Sequence, residues 1–285
     1  MIPDLLSATL RAVSFITMAQ AAGAVLFLAL FDSALKTSQH RIRRIARAAA
    51  LLGLIVLPTQ FALEAGRMAG SFGGVLDLEL QRFSLTTTSA TVLAVRIAGM
   101  VLLVVFAKPA GNVGRAIGLL GVLLIAISFG LIGHTATSPM RWLLGPLIVL
   151  HVLVVCFWFG ALWPLLQVVA LETANTAARV VEQFSKVATF AVPLILIAGV
   201  IIAAWLLPDS AALRSSYGMA LVAKALAFAL LMGLAAFNKW RLGPMLATGN
   251  ARVRHRFSLA VGAEWVVLAA TLSGTAILTT FLSPT

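Results

Sequence analysis

The sequence predicts an all-α protein, a polytopic membrane bundle of eight transmembrane helices. Two observations carry that prediction: the amount and grouping of apolar residues, and the alternation of charge between the groups. Of 285 residues, 61% are hydrophobic and 11% charged, and the mean hydropathy is +1.04. A water-soluble domain cannot hide so much apolar surface, whereas a bilayer accepts it as solvent. The runs are continuous rather than alternating, which excludes the strands of a membrane barrel.

Taken in order, apolar runs of crossing length fall at 8–31, 45–63, 86–107, 116–133, 143–168, 185–207, 217–237 and 257–282. About 20 residues suffice for a helix to cross the hydrocarbon layer. The first run lacks the basic leader and small-residue cleavage site of a signal peptide, so it is expected to be a span. The third carries Arg96, the fifth His151 and Trp158, the seventh Lys224 and the eighth Glu264. In the fifth, Gly160 and Pro164 stand four apart, which suits a close helix approach and a kink. No connecting segment is long enough for a soluble domain, so residues 1–285 are expected to form one transmembrane domain. The largest outer segment, Glu64–Leu85, has room for a short helix or hairpin.

The connections alternate in charge. Segment 32–47 carries Lys36, Arg41, Arg43, Arg44 and Arg47, and segment 238–256 carries Lys239, Arg241, Arg252, Arg254 and Arg256. With Lys108, Arg115, Arg179 and Lys186 between them, these segments hold 14 of the 21 Lys and Arg residues. In the opposite segments Arg67, Arg82, Arg141 and Arg214 are offset by Glu64, Asp77, Glu79 and Asp209. The positive-inside rule therefore predicts both termini on the periplasmic side and the basic loops in the cytoplasm. The net charge of +12 reads as this topology signal and not as a nucleic-acid surface, since the basic loops lack interleaved aromatics.

Several chemistries are excluded. Cys156 is the only cysteine, so there is no internal disulfide and no Cys-x-x-Cys metal site. The chain contains no G-x-x-x-x-G-K-[ST] phosphate loop, no H-E-x-x-H and no G-x-S-x-G. Enzymatic activity is not expected.

What remains is a set of polar side chains in apolar surroundings. His134 closes the fourth span and His151 lies about 13 Å down the fifth at 1.5 Å per residue, so both belong to the outer half. Neutral imidazole is a ligand for copper or zinc. The plainer alternative is a histidine hydrogen-bonded to a carbonyl across a helix interface. Met140, in the short loop between these spans, adds a soft thioether suited to Cu(I); Met18 and Met219 are further thioethers, though methionines also serve as packing. Cys156 follows His151 by five residues, about 140° around the helix, and is not expected to share its metal. Trp158, seven residues after His151, falls on the same face and could wall a site. Arg96, Lys224 and Glu264 each need a partner at bilayer depth. An Arg96–Glu264 pair is the first expectation and a Lys224–Glu264 contact the second, acting either as register-setting ion pairs or as a gate or proton-coupled step.

In order along the chain, these residues resemble the copper resistance protein D (CopD) family, most strongly from about residue 85 to the end. The resemblance rests on Thr86-Thr87 through Arg96, Gly133-His134-Thr135-Ala136, and His151 followed by Trp158-Phe159-Gly160-Ala161-Leu162. Phe184-Ser185-Lys186-Val187-Ala188, Tyr217-Gly218 with Lys224, Asn238-Lys239-Trp240-Arg241-Leu242 and Glu264 complete it. Thr135 interrupts the family's Gly-His-Ala-Ala stretch and Ala161 replaces the second glycine of its tryptophan motif. The resemblance implies a bacterial inner-membrane protein of copper resistance and homeostasis. It would move copper from periplasm towards cytoplasm, beside a periplasmic CopC-like copper-binding partner. The chain has no outer segment rich in histidine or methionine, which favours delivery by such a partner.

The expectation is thus a copper-handling permease that receives Cu(I) at His134, His151 and Met140. Arg96, Lys224 and Glu264 would hold or gate its interior, two of them with a charge that repels the cargo. The rival is a membrane haem-b redox protein with the two histidines as axial ligands and the cations on the propionates. The 13 Å offset in depth between the histidines weighs against it. A structural subunit is the third alternative.

Overall fold

The computed structural model describes residues 2–106, 111–206 and 211–281, without the side chains of Ile2, Pro3, His134, Thr135, Ala211 and Ala212. Lys108 and Asp209, both used in the charge argument, lie outside the described residues. Eight helices are long and apolar enough to cross a membrane, one for each predicted run. They are α1 (Ile2–Phe31), α2 (Gln39–Met68), α4 (Thr88–Phe106), α5 (Gly111–Gly130), α7 (Arg141–Leu171), α8 (Ala174–Leu206), α9 (Ser216–Phe237) and α10 (Ala251–Phe281). Two short helices, α3 (Leu78–Leu85) and α6 (His134–Thr137), lie in the connections.

Four helices begin six or more residues before their apolar runs: α1 at Ile2, α2 at Gln39, α8 at Ala174 and α10 at Ala251. Hydropathy marks the part of a helix that sits in hydrocarbon. The polar residues at these starts continue the same helical backbone hydrogen bonding and are invisible to it. The segment between α2 and α4 holds a 3₁₀ turn over Phe72–Leu76 and then α3. Asp77 caps α3 by accepting the amides of Glu79 and Leu80, and Gln81 ties it back to the carbonyls of Ala62 and Val75.

The first helix is the hub. It packs against α2, α7, α10 and α5, and 72% of its apolar window is buried. Small residues allow this, because close backbone approach is what holds helices together where lipid removes any hydrophobic advantage. At the α1–α7 crossing a Cβ on Gly23 would lie 1.9 Å from the Cys156 carbonyl oxygen and 2.6 Å from Gly160 Cα. Only glycine fits there. Gln20, one turn earlier, donates to the Gly160 carbonyl at 3.0 Å and accepts from the Trp265 indole at 3.3 Å, joining α1, α7 and α10.

The basic end of the bundle is clamped by Glu172, just past α7. One carboxylate oxygen accepts the amides of Lys36, Thr37 and Ser38 and the Ser38 hydroxyl, all at 2.8–3.0 Å. Those groups lead into α2, so a negative charge sits at its N-terminal end, where the helix dipole favours it. At the same end α9 passes into a π-helical turn, Asn238–Leu242, in which the Gly243 amide donates five residues back to Asn238.

Candidate functional site

The predicted site residues fall into three groups at different places in the bundle. One centres on His151 of α7, which is half-buried. Its Nδ1 lies 3.2 Å from the Ile195 carbonyl of α8, and Gly199, one turn on, leaves room beneath the ring. A carbonyl is only an acceptor, so Nδ1 carries the proton and donates. The neutral ring then has its lone pair on Nε2, the tautomer of a metal-ligating histidine braced by an outer carbonyl. Lys224 of α9 lies close enough for its charge to act on the ring. Among the described residues Lys224 has no hydrogen-bond or ion-pair partner.

The other two predicted ligands bear on this site unequally. His134 opens α6, which packs on the start of α7, but its side chain lies outside the described residues. Met140 stands immediately before α7, half-buried, with its amide on the Ser138 hydroxyl at 3.2 Å. Of the further thioethers, Met18 is buried in the core while Met219 is exposed. Cys156 is buried against α1 by the crossing just described. Among the described residues no three His, Cys, Asp or Glu side chains form a metal-binding cluster.

Two turns below His151 on α7, Trp158 is fully enclosed and meets Phe228 of α9 edge-on at 6.1 Å. Its indole stands beside the carboxylate of Glu264. Asn238 donates a short hydrogen bond to the same carboxylate from the start of the π-helical turn. Glu264 is 3% exposed and Asn238 7%, and Oδ1 of Asn238 has no hydrogen-bond partner among the described residues. Trp158 therefore belongs to the carboxylate and bridges it to the histidine face, more than it simply walls the latter.

The expected Arg96–Glu264 pair is not formed. Arg96 donates from Nε to Ser128 at 3.1 Å, and its guanidinium lies over Phe129, 4.8 Å from the ring centre. Ser128 in turn donates to the Ile125 carbonyl at 2.7 Å. The reason is topological: α4 packs on α5 and α2, whereas α10 packs on α1, α7 and α9. The hub helix stands between the two charges. Lys224 does not replace Arg96 as the carboxylate's partner; Asn238 donates to it and Trp158 stands beside it. Sequence reasoning missed Asn238, Ser128 and Gln20 as interior groups. Gln20 had a signal, being an amide alone within the first apolar run; Ser128 had almost none, since serine is common in membrane helices.

The fold and these groups define a polytopic membrane protein with polar side chains held at successive depths between its helices. Family comparison identifies which: a model described as "Copper resistance protein D-like, N-terminal domain" matches residues 1–142, and one described as "Copper resistance protein D" matches 178–278. The chain belongs to the copper resistance protein D family and is a copper-resistance-related, multi-pass membrane protein. His134 and Arg96 fall within the first match and Lys224, Asn238 and Glu264 within the second, while His151 and Trp158 lie between them. The part before residue 85, where the sequence resemblance was weaker, is covered by the first match. No curated relative and no solved structure matches the chain.

Proposed function

We propose that this protein conducts copper, as Cu(I), from the periplasm towards the cytoplasm across a bacterial inner membrane. In this reading both termini are periplasmic, and the protein is a permease and not an enzyme. The observation that supports it most is the bracing of His151: Nδ1 held by the Ile195 carbonyl leaves Nε2 free for a soft or borderline metal. His134 and Met140 supply the neighbouring ligands, and a periplasmic CopC-like protein delivers the ion.

From His151 the path runs inward along the α7 face to Trp158, about 10 Å deeper at 1.5 Å per residue, and on to Glu264 and Asn238. A buried carboxylate beside an unpartnered amide oxygen offers a compensating charge to a passing cation or proton. Lys224, beside His151, acts as the gate: its charge opposes a cation until the helix carrying it moves. Arg96 lies on the other side of the hub and holds α4 to α5, which removes one of the two positive charges from the route.

The test is copper content by elemental analysis of the purified protein, together with copper accumulation in cells. Alanine at both His134 and His151 is expected to abolish bound copper while the thermal melt stays unchanged, and cells expressing the native protein should accumulate more copper. Normal copper in the folded double variant, a fall in cellular copper, or a Soret band from bound haem would each overturn the reading.

A further inference from the structure

At the basic end of the bundle, α9 and α10 diverge and leave a groove of about 560 Å³. Its walls are apolar, including Phe237, Leu242, Met245 and Leu259, but Arg241 and Arg256 also line it. Both guanidinium groups are exposed, and no Asp or Glu occurs anywhere in 238–256 to neutralise them. The π-helical turn produces this arrangement: it buries Asn238 and Leu242 and leaves the side chains of the three residues between them on the outside.

The groove also lies at the depth where hydrocarbon gives way to water. Trp240 is 74% exposed, with the Lys239 ammonium 5.8 Å from its ring centre, and tryptophan with lysine marks a bilayer interface. Lys239 itself reaches Thr189 on α8 at 2.7 Å, so it is tied to the next helix and not available to the groove. An apolar slot ending in two unneutralised guanidinium groups matches one ligand chemistry, an acyl chain ending in a phosphate. Basic pockets between spans on the cytoplasmic side are suited to anionic headgroups.

We propose that this groove is a binding site for an anionic phospholipid, its phosphate bridged by Arg241 and Arg256 and its chain lying along Phe237, Met245 and Leu259. The site is independent of the copper path. A bound lipid joins α9 to α10 at the end nearest the Asn238–Glu264 contact, so it steadies the most thinly packed helix of the bundle.

Native mass spectrometry of the purified full-length protein tests this, with phosphatidylglycerol, phosphatidylcholine or inorganic phosphate added in detergent. Phosphatidylglycerol is expected to remain bound, phosphatidylcholine to dissociate, and millimolar phosphate to leave the lipid in place. The double variant R241Q/R256Q should retain phosphatidylglycerol roughly tenfold or more less well, given the contribution of each basic residue at a membrane surface. Met245→Trp fills the slot with both charges kept and should also lower retention; it decides the matter if the double variant does not fold. Equal retention of both lipids, or undiminished retention in the folded variants, overturns the proposal. Displacement by phosphate overturns it in favour of a free anion.

Discussion

The first and ninth helices are almost equally apolar, with window hydropathies of 2.0 and 2.2, yet 72% of one window is buried and 6% of the other. Apolarity therefore does not decide which helix forms the hub of a membrane bundle. Nor does the number of small residues, since the ninth helix has seven alanines and two glycines. What differs is whether the small residues meet a partner: from Ala19 to Ala24 the first helix presents Ala-Gln-Ala-Ala-Gly-Ala and its neighbours reach its backbone at Gly23, whereas nothing approaches Gly233 of the ninth. The Trp158–Phe228 contact lies where the dense side, ending at α7, meets the sparse side at α9, and the charge of Lys224 acts on His151 across the same boundary. A polar route at such a boundary has one fixed wall and one wall that can move at low cost.

The largest expected effect tests the fixed wall. Gly23→Leu places a branched side chain where a single carbon already meets Cys156 and Gly160 backbone at 1.9 and 2.6 Å. Ordinary overpacking costs about 1–3 kcal/mol; here only helix separation relieves it, so loss of monodisperse protein on size-exclusion chromatography is expected. Gly233→Leu in α9, where a Cβ meets nothing within 4 Å, should elute and melt as the native protein does. If the two behave alike, the contrast between the helices is broken.

A second pair separates passage from scaffolding. Glu264→Gln keeps the size of the side chain and an oxygen for Asn238, but removes the charge. It is expected to fold normally and to lower copper accumulation about tenfold, on the order expected for a charged group acting in a membrane pathway. Arg96→Met should do the reverse. Losing the Ser128 bond and the Phe129 contact costs about 1–3 kcal/mol of stability, while accumulation per folded molecule stays unchanged. Unaltered transport by folded Glu264→Gln would place that carboxylate in the scaffold as well.

How far the sequence reaches is seen in these same residues. All eight spans were legible because each apolar run is its own signal, and Arg96, Lys224 and Glu264 stood out because charge in such a run is costly. Their partners were not legible. Depth along a helix can be counted from sequence, but which helices are neighbours cannot, so Arg96 and Glu264, a turn or two apart in depth, were paired while standing on opposite sides of α1. Asn238 was visible only as part of a motif at the end of a span; the π-helical turn that aims it at Glu264 has no periodic signature. The Gly23–Gly160 crossing was half legible, since Gly160 was read as a close-approach residue and its counterpart was not.

The smallest expected effect lies at the basic end of the dense side. Burial alone would raise the Glu172 carboxyl, but the amides of Ser38, Thr37 and Lys36 and the Ser38 hydroxyl outweigh it and hold the group below its ordinary value of 4.5. A carboxyl lowered on folding contributes stability that is fully present above the unfolded value and disappears as pH falls through the folded one. The native protein should therefore lose part of its thermal stability as pH drops below about 4.5. Glu172→Gln still offers an oxygen to the three amides, so near neutral pH it should cost about 1–2 kcal/mol, the difference between a charged and a neutral acceptor. The informative quantity is the gap between the two melting curves, because other acidic groups titrate in both proteins. A gap that narrows with acid locates the clamp between α7 and α2 in the ionised carboxylate. A gap that stays constant from pH 7 to well below pH 4.5 would mean the loop is held by packing, and that the dense side needs no charge at its end.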